Sequence, residues 1–282
     1  MQPILKHILG QSPLGFHRMA YAEWGEATAR PPVICVHGLT RNGRDFDWLA
    51  EALQTTTRVF CPDIAGRGAS DWLGDPSLYG YPQYVADMVA MIARTGAEQV
   101  DWVGTSMGGI IGMLIAAQPN SPIRRLVIND VGAFLPLAAL KRIGGYVGQD
   151  PAFADLAALE AYLRKVTMAS FGITRAEDFR HLAHNSFRTR PDGALALAYD
   201  PKIADAFRAL DKDVDLWPVY DRIRCPTLLL HGALSDILPS AVAEDMTRRG
   251  PRASCVTIEN VGHAPALIDP AQIRVIQDFL GI

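Results

Sequence analysis

Short apolar segments alternate with amphipathic helical patterns along most of this chain, and this alternation limits the fold more than any other feature. Six segments of five or six residues are almost continuously apolar: Pro32–His37, Arg58–Asp63, Gln99–Gly104, Arg125–Asp130, Thr227–His231 and Ser254–Ile258. Such segments are typical of strands buried on both faces of a parallel sheet. Apolar residues at i, i+3 and i+4 spacing predict helices at Phe46–Leu53, Tyr84–Ala93, Met107–Ala117 and Ala271–Leu280. The pattern predicts an α/β doubly wound sheet, preceded by an antiparallel edge strand at Leu14–Trp24.

A helical part interrupts the alternation between Val131 and Pro226. Four helices are predicted in it, at Phe134–Val147, Ala152–Phe171, Arg175–Phe187 and Ala194–Leu210. An insertion of this length is too long for a loop. We therefore predict a helical cap over one end of the sheet at residues 133–215, and a sheet core made of residues 1–132 and 216–282.

Composition and charge disfavour several kinds of function. The net charge is −3 and the sequence contains no Lys/Arg-rich run, which argues against a nucleic-acid partner. The longest apolar stretch, Ile110–Ala117, is much shorter than the ~18 residues that suggest a membrane span. The first residues lack a basic head followed by an apolar segment, so we expect no secretory signal and a cytoplasmic location. The four cysteines form no C-x-x-C pair and are expected to be buried and reduced.

The segment Gly104–Gly108 (GTSMG) carries the strongest catalytic signal. It follows a predicted strand and opens a predicted helix, which is the context that a G-x-S-x-G nucleophile turn requires. A serine in this sharp turn projects its hydroxyl group from the sheet, and glycine at both ends lets the turn pack closely against its neighbours. We predict that Ser106 is a nucleophile.

Two backbone amides are candidates for an oxyanion hole beside this serine. The N–H group of Met107 lies at the start of the predicted helix, where amides lack an intrahelical acceptor and the helix dipole favours negative charge. Leu39 follows the first buried strand and is predicted to supply the second N–H group. Acyl transfer needs two such donors because it builds an oxyanion. The nearby His37 is expected to hold this loop in place rather than to take part in the reaction.

A serine nucleophile needs a base, and the base needs a carboxylate that orients it. His263 lies between the last predicted strand and the last predicted helix, in a loop with a glycine and a proline, and is the candidate base. Asp236 lies a few residues after the strand Thr227–His231, and we predict that it orients His263. Asp130 ends an earlier strand and is the competing candidate for this role.

Taken together, these motifs resemble the α/β-hydrolase fold superfamily. The resemblance covers nearly the whole chain and rests on His37-Gly38, Asp63–Ser70 (DIAGRGAS), Gly104–Gly109 (GTSMGG), Asp236 and Gly262-His263. It implies an eight-stranded, mostly parallel sheet flanked by helices, with the cap inserted after the sixth strand and the active site between sheet and cap. The order of serine, aspartate and histidine is also that of the superfamily's triads.

The residue types narrow the reaction that this resemblance implies. Epoxide hydrolases and haloalkane dehalogenases of this fold have an aspartate in place of Ser106, so both are disfavoured. Hydrolases of C–C bonds typically carry an asparagine where this chain has Thr105, but a C–C hydrolase or a lactonase stays an alternative. The segments His37–Phe46 and Gly104–Gly109 are similar to those of microbial carboxylesterases, some of which attack short aliphatic polyesters and their oligomers. We therefore expect hydrolysis of a small-molecule carboxylic ester through an acyl-enzyme.

The predicted cap supplies apolar side chains for a substrate pocket. The candidates are Phe134, Leu135, Ile143, Met168 and Phe171. Arg41 is a further candidate and lies beside the loop of His37, Gly38 and Leu39, which we call the oxyanion loop. Arg41 is expected either to meet a carboxylate of the substrate or to pair with a nearby acid and stiffen the loop. No cofactor or metal is expected, since no histidine or carboxylate cluster has ligand spacing. We expect a monomer or a homodimer.

Overall fold

The computed structural model describes residues 2–168, 170–208 and 210–282. Within these residues the strands are β1 (Ile4–Ser12), β2 (Gly15–Trp24), β3 (Val33–Val36), β4 (Val59–Pro62), β5 (Val100–Thr105), β6 (Ile123–Asn129), β7 (Phe134–Leu135), β8 (Phe187–Thr189), β9 (Leu195–Leu197), β10 (Val214–Asp215), β11 (Thr227–Gly232) and β12 (Ser254–Ile258). The helices are α1 (Asp47–Leu53), α2 (Tyr81–Thr95), α3 (Met107–Ala116), α4 (Leu137–Gly144), α5 (Leu156–Tyr162), α6 (Ala176–His184), α7 (Asp205–Arg208), α8 (Trp217–Tyr220), α9 (Ser240–Met246) and α10 (Pro270–Leu280).

One eight-stranded sheet, in the order β1-β2-β4-β3-β5-β6-β11-β12, forms the centre of the fold. The strands from β4 to β12 in this order run parallel, whereas β1 and β2 are antiparallel. All six predicted strands are present, with ends within two residues of the predicted positions, although β12 lies at the edge of the sheet and is partly exposed rather than buried. The expected eight-stranded, mostly parallel sheet is therefore confirmed.

The edge of the sheet differs from the prediction. The strand β2, predicted as the edge, is an inner strand because β1 pairs with it along its whole length, from Ile4 opposite Glu23 to Ser12 opposite Gly15. The sequence of β1 lacks a clear strand pattern because several of its apolar side chains, including Leu5 and Leu9, are exposed. A strand at the edge of a sheet needs less burial than a central one, so its sequence is less constrained.

Apolar side chains of the central strands divide between two buried clusters, one on each face of the sheet. In β5, Trp102 belongs to the cluster that includes α2 and α3, whereas Val103 belongs to the cluster that includes α1 and α10. Ile34 and Cys35 of β3 divide in the same way. Helices thus cover both faces, which explains why these strands are continuously apolar in sequence rather than alternating.

Between β6 and β11 the chain leaves the large sheet. The short strands β7 and β10 pair at the base of this insertion, and α4 to α7 and the hairpin β8–β9 lie between them in the chain. The helix predicted at Ala194–Leu210 is wrong in its first part, because β9 pairs with β8 across a turn in which Gly193 has a φ of +85°. Its second part contains the short helix α7. The division into core and cap at residues 133–215 stays a prediction, which the pairing of β7 with β10 near both boundaries supports.

Two further predictions concern membranes and cysteines. Within the described ranges, no helix combines the length and the apolar character that crossing a membrane requires. All four cysteines are free thiols. Cys35 and Cys61 are buried as expected, whereas Cys225 is half-buried and Cys255 is exposed.

Candidate active site

The sharp turn around Ser106 joins β5 to α3. Ser106 has a φ of +52° and a ψ of −113°, a left-handed conformation that a non-glycine residue rarely adopts. Gly104 and Gly108 must be glycine because there is no room for a side chain at either position. A Cβ atom on Gly104 would lie 2.3 Å from the carbonyl oxygen of Gly108, and one on Gly108 would lie 2.0 Å from that of Val36. The local sequence therefore fixes the strained turn that presents the hydroxyl group.

A chain of hydrogen bonds runs from this hydroxyl group into the core. The Ser106 Oγ–H group donates to His263 Nε2 at 2.9 Å, and the His263 Nδ1–H group donates to Asp130 Oδ2 at 2.8 Å. Asp130 is fully buried directly after β6, and its other carboxylate oxygen accepts the N–H group of Gly232 at 2.7 Å. The structure thus brings together the predicted nucleophile, the predicted base and the competing carboxylate.

The prediction that Asp236 orients His263 is wrong. The Asp236 carboxylate instead accepts hydrogen bonds from Arg142 Nε at 2.5 Å and Nη2 at 2.7 Å, and the Arg142 and Asp236 side chains are 50% and 47% exposed. Partial burial acts to raise the pKa of Asp236, but the bonds from Arg142 outweigh it and lower this pKa. Since β6 and β11 are neighbouring parallel strands, both aspartates follow the same edge of the sheet. Asp130, directly at the strand end, is the one that reaches His263.

The two predicted oxyanion donors lie beside the nucleophile. Met107 is the first residue of α3, where backbone N–H groups lack an intrahelical acceptor. Gly38 lies so near that a Cβ atom on it would be 3.8 Å from the Cβ of Ser106, which places the Gly38–Leu39 peptide next to the serine. The role of the Leu39 and Met107 N–H groups as oxyanion donors stays a prediction.

A buried arginine in the segment Asp63–Ser70 contacts both of these residues. Arg67 has no exposed surface. Its Nε donates to the Leu39 carbonyl oxygen at 2.9 Å, and its Nη2 lies 3.6 Å from Met107 Sδ. Its Nη1 donates to the Ala65 carbonyl oxygen and to the Tyr84 hydroxyl group. All four of these partners are neutral, so none of them neutralises the charge of the guanidinium group. This charge lies behind the predicted oxyanion hole.

His37 has the structural contacts that the sequence predicted for it. Its Nδ1–H group donates to the Gly38 carbonyl oxygen at 2.7 Å, and its Nε2 accepts the N–H group of Ile64 at 2.9 Å. Burial lowers the pKa of His37 to about 3, so the ring is neutral near pH 7. A neutral ring with one donor and one acceptor satisfied in this way holds the oxyanion loop against the segment after β4.

A cavity of about 200 Å³ contains Ser106 and His263. Its other lining residues come mainly from the segment after β3, from α4 and the residues just after it, and from the segment after α5, with single residues beside Ser106 and His263: Gly38, Leu39, Thr40, Arg41, Asp45, Thr105, Arg142, Ile143, Tyr146, Val166, Ser170, Phe171 and Ala264. Arg41, Ile143 and Phe171 were predicted pocket residues. The Arg41 guanidinium is buried and paired with Asp45 through Nε at 2.9 Å and Nη2 at 2.6 Å, which matches the second of its two predicted roles.

A second cavity, of about 250 Å³, has an almost entirely apolar lining. Leu39 and Met107 line it, as do Leu135, Leu140 and Phe207 from the insertion. The remaining predicted pocket residues divide: Leu135 lies in this cavity, Met168 lines a small crevice beside Phe171, and Phe134 lines none of these spaces.

Arg142 was not predicted as a pocket residue, because its position in the predicted cap helix Phe134–Val147 gave no signal that distinguished it from a surface residue.

No group of three or more histidine, cysteine or carboxylate side chains with metal-binding geometry occurs among the described residues. The structure assembles a serine hydroxyl, an imidazole and a carboxylate, with the predicted oxyanion amides beside them. Such a set supports nucleophilic attack by serine with the histidine as general base.

The fold and these groups together define the class to which the chain belongs. Residues 31–270 match the family model for the alpha/beta hydrolase fold, and the chain is a member of this family.

Individual relatives are similar over nearly the whole length. A 3-hydroxybutyrate-oligomer hydrolase of Cupriavidus necator is 46% identical over an alignment of 279 positions that covers 95% of this chain and 94% of that protein. A solved structure of a protein from Rickettsia typhi has a TM-score of 0.91 at 32% identity and covers 100% of this chain and 99% of its own. A solved structure of an alpha/beta hydrolase from Novosphingobium aromaticivorans has a TM-score of 0.89 at 35% identity and covers 99% of this chain and 98% of its own.

Proposed function

We propose that this chain is a serine carboxylesterase that cleaves ester bonds in short oligomers of hydroxyalkanoic acids. The observation that carries the proposal is the unbroken hydrogen-bond chain from Ser106 through His263 to the buried Asp130. The relative from Cupriavidus necator, named a 3-hydroxybutyrate-oligomer hydrolase, supports the substrate class because the similarity spans 95% of the chain. It also favours ester hydrolysis over the C–C hydrolase alternative.

Each group has a defined role in the proposed reaction. His263 Nε2 takes the proton of Ser106 as the serine oxygen attacks the ester carbonyl carbon. Asp130 keeps the remaining ring proton on Nδ1 and stabilises the imidazolium that forms. The N–H groups of Leu39 and Met107 bind the oxyanion. His263 then protonates the leaving alkoxide, and water releases the acyl group from Ser106 by the same route.

The two cavities suit an oligomer better than a simple alkyl ester. The cavity around Ser106 carries the polar and charged side chains of Arg41, Asp45 and Arg142, whereas the neighbouring cavity is apolar. Leu39 lines both, so an extended substrate can occupy the two spaces with its ester carbonyl at the predicted oxyanion hole. A hydroxyalkanoate chain alternates polar ester groups with apolar methyl and methylene groups and matches such a lining.

Turnover of the 3-hydroxybutyrate dimer and of p-nitrophenyl butyrate tests this proposal. The wild-type chain is expected to hydrolyse both, and Ser106→Ala is expected to lose about 10⁶-fold in kcat, as single losses from a comparable triad do. The exposed Ser254 of β12 supplies the matched control, since Ser254→Ala should retain wild-type rates. Labelling by a serine-directed phosphonate should map to Ser106. Failure to hydrolyse any ester, or faster turnover of a ring-fission dienoate than of esters, would reject the proposal.

A cytoplasmic location and a monomeric or homodimeric state remain predictions from the sequence.

A further inference from the structure

One charged side chain of the cavity around Ser106 is exposed to solvent together with its partner. Arg41 and Arg142 both line this cavity, and each pairs with an aspartate. The Arg41 guanidinium is 6% exposed and fixed by the neighbouring Asp45, whereas Arg142 is 50% exposed and its partner Asp236 is 47% exposed. An exposed ion pair is weak because water competes for both partners. Arg142 is therefore the cation of this cavity that can exchange its partner.

The hydrogen bonds between Arg142 and Asp236 indicate which chemical group the Arg142 guanidinium can bind. Two of its nitrogen atoms, Nε and Nη2, donate side by side to the two oxygen atoms of the Asp236 carboxylate. This paired geometry is the one that an arginine offers to any planar carboxylate. The Tyr146 hydroxyl group contacts the same guanidinium and also lines the cavity.

We infer that Arg142 binds a free carboxylate of the substrate, and that Asp236 occupies this position when no substrate is bound. The inference rests on the proposed function and specifies it: the preferred substrate is an ester whose alcohol part carries a carboxylate a few bonds from the ester oxygen. In an oligomer of a 3-hydroxy acid, only the ester bond next to the free acid end has this arrangement. Arg142 thus directs the enzyme to the carboxyl end, where each cleavage releases one hydroxy acid monomer.

The same ion pair has a purely structural alternative. Arg142 belongs to α4 of the insertion, and Asp236 belongs to the loop after β11, so the pair also connects these two parts. If it acts only as a connection, loss of either partner has the same effect, and this effect is the same for charged and neutral substrates. Competition for the carboxylate position predicts effects of opposite sign for the two partners.

The test compares the 3-hydroxybutyrate dimer with its primary amide, which has the same ester bond but no charge. The measured quantity is the ratio of kcat/KM for the acid to kcat/KM for the amide. The wild-type chain should favour the acid at least ~10-fold, and Arg142→Met should lower the ratio ~10- to 100-fold, mainly through KM, as expected for a lost hydrogen bond to a charged group. Arg142→Lys should retain part of the preference. Asp236→Asn should raise the ratio, because the internal competitor is lost.

The control is Arg248→Met, which removes an exposed arginine paired with Glu244 on α9 and should leave the ratio unchanged. Thermal unfolding of each variant confirms that it is folded. An unchanged ratio in Arg142→Met, or a ratio that Asp236→Asn and Arg142→Met shift in the same direction, overturns the inference. So does turnover of p-nitrophenyl butyrate without turnover of either dimer, which leaves the carboxylesterase activity standing but not the oligomer substrate. If no ester is hydrolysed at all, the proposed function fails as well.

Discussion

Replacement of Asp130 by asparagine distinguishes between the two carboxylates that could orient His263, the proposed base. An asparagine side chain has nearly the same shape and tolerates the left-handed backbone of this position, where φ is +56°. Its carbonyl oxygen can still accept the N–H group of Gly232. Its NH₂ group then faces His263 Nδ1, which must become an acceptor. The ring proton moves to Nε2, and His263 can no longer take the proton of Ser106.

The expected loss of activity follows from this change of tautomer. The same substitution in a comparable serine triad lowers kcat by about 10⁴, or about 5.5 kcal/mol of transition-state stabilisation at 1.36 kcal/mol per factor of ten. Folding stability should fall less, by about 1–1.5 kcal/mol, because a buried hydrogen bond involving a charged group is replaced by a neutral one. Asp130→Asn should therefore remain folded while it loses nearly all of its activity.

Steady-state hydrolysis of p-nitrophenyl butyrate measures this effect, with Asp236→Asn as the comparison variant. This neutral substrate has no carboxylate, so the competition at Arg142 does not enter. Asp236→Asn is expected to lose less than about tenfold in kcat, because its carboxylate lies on Arg142 and not on His263. A loss of a thousandfold or more in Asp236→Asn, with Asp130→Asn near the wild-type rate, would refute the hydrogen-bond arrangement described above.

Three further predictions concern groups behind the reacting atoms. Arg67→Met removes the hydrogen bond to the Leu39 carbonyl oxygen and should lower kcat about 10- to 100-fold at nearly constant KM, as measured by ester hydrolysis kinetics. Burial lowers the pKa of His37 from 6.5 to about 3, so between these values the unfolded chain binds the extra proton and stability falls as the pH falls. Urea unfolding should show that the wild type loses about 2 kcal/mol more stability than His37→Gln when the pH falls from 6.5 to 4.5. Gly108→Ala would place a Cβ atom 2.0 Å from the Val36 carbonyl oxygen and should destabilise the fold by more than about 3 kcal/mol in the same assay.

The central sheet could be predicted because burial on both faces leaves few residue types possible. Every side chain of β3 and β11 is buried, and the apolar runs in the sequence mark these strands to within two residues. The strand β1 could not be found in this way because most of its side chains are at least partly exposed. The hairpin β8–β9 was mistaken for helix because short strands in a small two-stranded sheet leave no periodic apolar pattern.

The serine and the histidine could be predicted for a different reason. The glycines around Ser106 are fixed by close contacts of the backbone, so the turn has a sequence signature that does not depend on distant parts of the chain. His263 was recognised from its place in the loop before the last helix. The orienting carboxylate has no comparable local signature, because its role depends on which of two neighbouring loops turns a side chain toward His263.

The difference in burial explains why Asp130, and not Asp236, is suited to pair with His263. Asp130 and His263 are paired where water is largely excluded, with side chains 0% and 11% exposed, so the attraction between the carboxylate and a developing imidazolium is weakly screened. Asp236 is about half exposed, and solvent and salt would weaken the same attraction there. An exposed carboxylate is, however, suited to a partner that must be released in each catalytic cycle. The division of the two aspartates between a fixed role at His263 and an exchangeable role at Arg142 thus follows from their depth in the fold.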